Sequence, residues 1–175
     1  MTASTTSLAN QVRLLILDVD GVLTDGGLHF DNRGEEYKTF NSLDGHGIRM
    51  LLDCGIEVAV ITGRKSKIVG HRMTELGVRH LHQGSSDKLA TFTALIESLG
   101  VTPEQVAYVG DDLPDLPVLR RVGFAIAVHN AHAFVREHCD WVTSKRGGHG
   151  AVREITDFIL QAQSLLDARQ AEYLE

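Results

Sequence analysis

The 175-residue chain is poor in the residues that mark whole classes of protein. It has two cysteines, Cys54 and Cys139, far apart and without metal-ligand spacing. A disulfide-stapled scaffold is therefore excluded, and both read as reduced thiols of a cytoplasmic protein. Three prolines exclude a proline-rich linker or an extended low-complexity chain. No apolar run approaches the roughly 20 residues that cross a bilayer. The stretch MTASTTSLANQVR lacks a basic segment followed by an apolar one, so no secretory signal is expected. Basic residues are fewer than acidic ones, 17 against 23, for a formal net charge of -6. That balance argues against nucleic acid or an anionic membrane as principal partner, because both demand a basic footprint. It leaves room for a small anionic substrate, which needs only a local cation.

What is present fits one compact domain over residues 1–175. Short apolar runs alternate with longer amphipathic ones. Strands are expected at Arg13–Leu17, Glu57–Ile61, Val106–Val109 and Gly123–Val128, with weaker signals at Val78–Leu81 and Asp140–Val142. The first three are continuously apolar, the pattern of strands buried on both faces of a parallel sheet. Helices are expected over Leu43–Cys54, Ser66–Leu76, Asp87–Leu99 and about Ala151–Gln170, the second and third closed by Gly77 and Gly100. The alternation predicts an α/β fold with a doubly wound, mostly parallel sheet. One segment, Leu28–Phe40, breaks it and reads as a β-hairpin inserted after the first strand. The charged tail from Ser164 is expected to fray, and Trp141 to sit in the core or at an interface.

Sites in such folds lie beyond the carboxyl ends of the strands. After the first strand comes Asp18-Val19-Asp20-Gly21, after the second Thr62-Gly63-Arg64, and after the third Gly110-Asp111-Asp112. Lys88 opens the helix near Ser86. The fold brings these to one edge, so Asp18, Asp20, Asp111 and Asp112 converge. Like charges resist joint ionisation, and a hard divalent cation such as Mg²⁺ resolves the conflict. A carboxylate facing that metal can attack phosphorus. Lys88 and the Thr62 hydroxyl supply donors to the equatorial oxygens of a transferring phosphoryl group. A receiver-type phosphoacceptor domain also uses an aspartate cluster, a threonine and a lysine, but its phosphorylated aspartate does not open the chain as Asp18 does here. His80 and His82 lack a third ligand at suitable spacing and read as strand-edge residues. His46 and His149 are assigned no role.

DVDGVLTD, ITGR, Lys88 and GDDLPD resemble the four motifs of the haloacid dehalogenase superfamily of phosphotransferases. FNSLDGHGIRMLLDCGIEVAVITGRKS, HLHQGSSDKL, TPEQVAYVGDDLPDLPVL and GGHGAVRE resemble one subfamily, the 3-deoxy-D-manno-octulosonate 8-phosphate phosphatases of lipopolysaccharide-producing bacteria. The resemblance spans roughly Val12 to Ala168 and implies a capless phosphatase. It implies Asp18 as nucleophile and Mg²⁺ ligand, and Asp20 as acid and base with its backbone carbonyl on the metal. It implies Asp111 as the second carboxylate ligand, Asp112 in support, and Thr62 and Lys88 on the phosphoryl group. It further implies substrate contacts from Asn41, Ser42, Leu43, Asp44, Gly45, Arg49, Gly63, Arg64 and Arg72, with Asp20 and Lys88. Arginine suits a sugar-acid carboxylate, which its planar fork pairs bidentately. The hairpin resembles a flap, about residues 26–40, that builds a homotetramer and roofs a neighbouring site. Residues 145–150 resemble a mobile segment reaching toward that site. A related nine-carbon sugar-acid phosphate, or a broad range of sugar phosphates, are the alternative substrates. Pro114 and Pro117 depart from the usual pattern, and Pro117 is expected to shorten the helix that follows.

Overall fold

The computed structural model describes residues 3–174. A helix α1 (Ala3–Asn10) precedes the central strand β1 (Leu14–Leu17). The hairpin β2 (His29–Phe30) and β3 (Glu36–Tyr37) leads into α2 (Ser42–Asp53). Then follow β4 (Glu57–Thr62), α3 (Lys67–Leu76), β5 (His80–Gln83), α4 (Lys88–Leu99) and β6 (Val106–Gly110). The chain closes with α5 (Leu116–Leu119), β7 (Phe124–Ala127), α6 (Ala133–Arg136), β8 (Trp141–Val142), α7 (Ala151–Ala162) and α8 (Leu166–Ala171).

Six strands form one parallel sheet in the order β5-β4-β1-β6-β7-β8. The residues of β1, β6 and β7 are buried throughout, and β4 from Val58 onward. This is what unbroken apolar runs require when helices cover both faces. From β1 the chain steps outward through β4 to β5, then crosses back by α4 to β6. Right-handed crossovers put helices of the two directions on opposite faces. Accordingly α2 packs with α7, and α7 with α1, while α4 packs with α5. The reversal of winding opens a crevice at the carboxyl end of β1, flanked by β4 and β6.

The doubly wound sheet was legible in the sequence; three local features were not. α1 was unforeseen, since its serines and threonines give a weak amphipathic pattern; Ala9 at its end and Val12 beyond are fully buried. The last helix is two. Ser164 adopts a left-handed backbone with φ 59°, and the Leu165 amide turns back to the Leu160 carbonyl at 2.8 Å. After Ser164 the chain forms α8, in which Leu166 is buried and Arg169 reaches Asp53 of α2 at 2.7 Å. The short α5 carries Pro117 in its first turn, where proline is tolerated because an amide there has no intrahelical partner, so its position marks the start of the helix and not its end. Trp141 joins an aromatic cluster, stacking on Phe124 and packing 5.0 Å from the Phe158 ring.

Candidate active site

The site grows from the register. Leu17 pairs with Val60 on one side and Val109 on the other, so Asp18 is the first residue past the centre of the sheet. Its amide still donates to the Val109 carbonyl at 3.1 Å. The chain then turns sharply over Val19–Leu23, where Gly21 has φ 91°. A β-carbon on Gly21 would stand 2.1 Å from the Asp111 carboxylate. Glycine is therefore needed twice over here, for the backbone and for the approach of the β6 loop.

Asp18, Asp111 and Asp115 each place a carboxylate oxygen within 4.8 Å of the others'. Lys88, the first residue of α4, lies among them. Its Nζ donates to Asp115 at 2.7 Å and stands 2.9 Å from Asp18 Oδ2. The other Asp18 oxygen accepts from the Val19 amide at 2.7 Å. Asp115 is 1% exposed and accepts from four donors: Lys88, the Tyr108 hydroxyl at 2.7 Å, and the Asp111 and Asp112 amides at 3.1 and 3.3 Å. Those bonds use its acceptor capacity. Asp115 therefore anchors Lys88 and the loop, while Asp18 and Asp111 remain to meet an external cation.

The electrostatics agree. Burial, the charge of Asp115 and an incomplete offset from Lys88 push the Asp18 carboxyl up to about 6. Burial and the charges of Asp18, Asp115 and Asp112 push Asp111 up to about 7. Burial alone would lower the Lys88 ammonium, but Asp18 and Asp115 outweigh it and hold it above its ordinary value. Two acids strained toward neutrality beside a committed cation are a site short of positive charge. A hard divalent cation fits this oxygen donor set.

These groups line a cavity of about 380 Å³ with Asp20, Thr62, Gly63, Arg64 and Asp112. The fold thus brings the four expected loops together. Thr62 is buried at the end of β4. Asp112 is exposed, and its carboxylate accepts from the Leu113 amide at 2.8 Å, capping a short helical turn. Asp20 is paired with Lys38 and lies 3.6 Å from Arg64 Nε.

The curated relatives include the 3-deoxy-D-manno-octulosonate 8-phosphate phosphatase KdsC of Escherichia coli (strain K12), 51% identical over 98% of this chain and 92% of its own. The chain belongs to the KdsC phosphatase family. Its residues 78–155 match the haloacid dehalogenase-like hydrolase model. A probable YrbI family phosphatase from Pseudomonas syringae superposes with a TM-score of 0.98 at 50% identity, covering 99% of both chains. The KdsC-family enzyme from Moraxella catarrhalis was solved with magnesium, phosphate and a KDO molecule. It superposes with a TM-score of 0.97 at 42% identity, again covering 99% of both chains.

Other residues that the KdsC resemblance implied as substrate contacts lie elsewhere in this chain. Asn41, Ser42, Leu43, Asp44, Gly45, Arg49 and Arg72 do not line the cavity that holds Asp18. Asn41 caps α2, accepting from the Leu43 amide at 2.8 Å. Ser42 and Leu43 are exposed on the first turn of α2. Asp44 is buried and accepts from the Gly150 and Arg153 amides, tying α2 to the start of α7. Gly45 leaves room for the Arg72 guanidinium, which pairs with Glu75 at 2.8 Å. Arg49 donates to the Leu76 carbonyl at 3.3 Å. Residues 145–150 pack behind the Asp18 turn: the Gly148 amide bonds the Val22 carbonyl at 3.0 Å, and the Gly147 amide bonds Asn130 at 2.7 Å. His80 stands 3.5 Å from Glu57, and among the described residues the acidic trio is the one metal-ligand cluster.

Three residues were given no role from the sequence: Asp115, Tyr108 and Lys38. Asp115 had one signal, its place within GDDLPD, but an aspartate between prolines reads by default as an exposed turn residue.

Proposed function

We propose that this chain hydrolyses 3-deoxy-D-manno-octulosonate 8-phosphate to the free sugar acid and phosphate, with Mg²⁺, as a step of lipopolysaccharide precursor synthesis. The observation that carries the reading is the buried Asp18–Lys88–Asp111 cluster at the crossover crevice of a KdsC-family chain. Asp18 and Asp111 would hold the ion with the backbone carbonyl of Asp20, and Asp112 would support it from the rim. Bound there, Mg²⁺ would neutralise acidic charge and polarise the phosphoryl oxygens.

The chain's own residues account for the rest. A carboxylate oxygen of Asp18 attacks phosphorus, and the bond from phosphorus to the sugar oxygen breaks. Lys88 and Thr62 stabilise the charge on the equatorial oxygens. Asp20 gives a proton to the departing sugar oxygen, leaving an aspartyl-phosphate on Asp18. Asp20 then takes a proton from the water that attacks this phosphorus, and phosphate leaves with Asp18 regenerated. Arg64, on the rim, pairs with the substrate carboxylate.

The chain works in the cytoplasm, in keeping with its free Cys54 and Cys139 and with no described helix long and apolar enough to cross a membrane. It acts as a homotetramer whose hairpins cover neighbouring sites. Support comes from Leu28, Phe30 and Tyr37, each more than half exposed on the hairpin. Light scattering that gives a monomer at micromolar concentration overturns the assembly. Phosphate release from 3-deoxy-D-manno-octulosonate 8-phosphate, beside equal concentrations of other sugar phosphates and with and without Mg²⁺, tests the activity. Preference for that ester and dependence on Mg²⁺ are expected; equal turnover of all esters overturns the substrate assignment.

A further inference from the structure

The carboxylate of Asp20 is held by the hairpin. Asp20 stands on the turn after β1, yet the ammonium against it comes from Lys38, the residue just after β3. That ammonium also stands 3.2 Å from Glu36, two positions back along the same extended segment. Alternate residues of such a segment project to one side, so the spacing delivers both side chains to the same place. Glu36 in turn bonds Arg64 at 2.9 Å, and Arg64 returns to Asp20 at 3.6 Å. Two cations and two anions thus close a ring, with Asp20 as the member that lines the cavity together with Arg64.

The Lys38 side chain is 2% exposed, against 44% for Arg64. Lys38 does not line the cavity, so it acts on the reaction through Asp20. A buried ammonium is costly, and its cost is met here by two carboxylates in contact. A hairpin of two strands of two residues each gains little from burying a charge for its own sake. An acid–base carboxylate gains much, because proton transfer requires it within hydrogen-bond reach of the departing oxygen.

We propose that Lys38 is a positioning residue that aims the Asp20 carboxylate at the leaving-group oxygen, making the hairpin a working part of the acid–base machinery. The proposal rests on the acid–base reading of Asp20 above. It accounts for the pairing of a catalytic turn with a residue 18 positions away on an insertion, and it extends the hairpin's role from covering a site to orienting a side chain within its own.

The test compares two substrates that differ in their need for an acid. An alkyl ester such as the sugar-acid phosphate leaves as an alkoxide and requires a proton, whereas para-nitrophenyl phosphate leaves as a stable phenolate and does not. kcat/KM reports the steps through phosphoryl transfer to Asp18, so it isolates the acid role from the later base role. Lys38→Met is expected to lower kcat/KM on the sugar-acid phosphate about 10²-fold, within the usual worth of general acid catalysis. The ratio of the two substrates' kcat/KM values should move at least about tenfold toward the aryl ester. Lys38→Arg should recover most of that ratio, because it restores a cation between Asp20 and Glu36. Lys38→Gln serves the same arm if the methionine variant does not fold. An equal loss on both esters would show Lys38 to be only an anchor of the hairpin and overturn the proposal, as would no loss. Asp20→Asn runs in parallel. If it too leaves the ratio unmoved, the acid–base reading itself fails; if it shifts the ratio and Lys38→Met does not, the positioning proposal alone fails.

Discussion

Two cavities lie at opposite ends of β4, and the larger is not the one that carries the chemistry. At its carboxyl end is the site of about 380 Å³ around Asp18. At its amino end a hollow of about 500 Å³ is lined by Arg49, Asp53, Glu57 and Arg79, where α2 and α3 end. Both hold charges of both signs. The difference is burial and arrangement. Around Asp18, carboxylates and an ammonium are forced together out of water, with acids held up toward neutrality. In the second hollow Arg49 and Arg79 are exposed on the surface, and Asp53 is already paired with Arg169. Screened charges in water interact weakly and can rearrange. Buried ones are fixed, and their uncompensated field is what a metal and a phosphate would complete. Unmet charge, and not volume, separates the two.

That contrast predicts a steep ordering of effects. Asp18→Asn should lower kcat by at least about 10⁴-fold, the scale of losing a nucleophile that acts as part of a unit. Its fold should persist, since the amide keeps the shape and relieves like charge with Asp115. Single-turnover phosphate release, with circular dichroism as the fold control, checks this; turnover near the parent's would move the nucleophile elsewhere. Lys88→Met comes next. Removing one partner of a buried ion cluster costs about 3–5 kcal/mol, and losing one donor to the transferring group costs about 10²–10³ in kcat. Urea unfolding and steady-state kinetics read the two separately. A variant as stable as the parent would place Asp18 and Asp115 in better contact with water than the structure does.

The same contrast explains what the sequence made legible. Strands buried on both faces announce themselves as unbroken apolar runs, so β1, β4 and β6 and the loops beyond them could be placed. Once their carboxyl ends share an edge, Asp18, Asp20, Thr62 and Asp111 must meet there. Asp115 escaped because its burial depends on Tyr108 and Lys88 arriving from other elements, which no spacing within GDDLPD reveals. Lys38 escaped because it lies on an insertion whose docking onto Asp20 is a tertiary event. Asp44, like the rest of the Asn41–Gly45 stretch, was implied by the resemblance alone; within this chain its carboxylate accepts from the amides that open α7. Arg49 and Arg72 were placed by resemblance alone, and the phase of α2 and α3 decides what they touch within one chain.

A smaller, pH-dependent effect follows from the raised acids. Asp18 and Asp111 have folded values of about 6 and about 7 against an ordinary 3.8. The folded state therefore holds protons that the unfolded chain has released. Stability contributed by this is fully present below about pH 4 and is lost as pH rises to about 7. The slope is at most about 1.4 kcal/mol per pH unit for each group. Lys88 does not oppose this, since its raised value acts only in the alkaline range. Protein stripped of divalent cations should therefore lose Tm between pH 5 and 7.5 more steeply than Asp111→Asn does, and saturating Mg²⁺ should flatten the trend by favouring the ionised acids. Identical slopes for the two proteins would show that the site does not carry this strain.

The least effect is expected at the other end of β4, and it is the sharpest probe of the comparison. Arg49 donates one hydrogen bond to the Leu76 carbonyl, and Arg79 is exposed. Surface substitutions away from buried networks change stability by about 0.5 kcal/mol or less. Arg49→Ala and Arg79→Ala should accordingly leave Tm nearly unmoved and kcat/KM within about twofold, because neither guanidinium reaches the Asp18 cavity of its own chain. The informative exception is a change in KM without a change in kcat. A removed contact that binds substrate and transition state alike raises KM alone. Such a result for Arg49→Ala would mean that a second copy presents this hollow to the substrate. The two ends of β4 would then belong to one composite site spread over neighbouring subunits, and the contrast drawn within a single chain would dissolve on assembly.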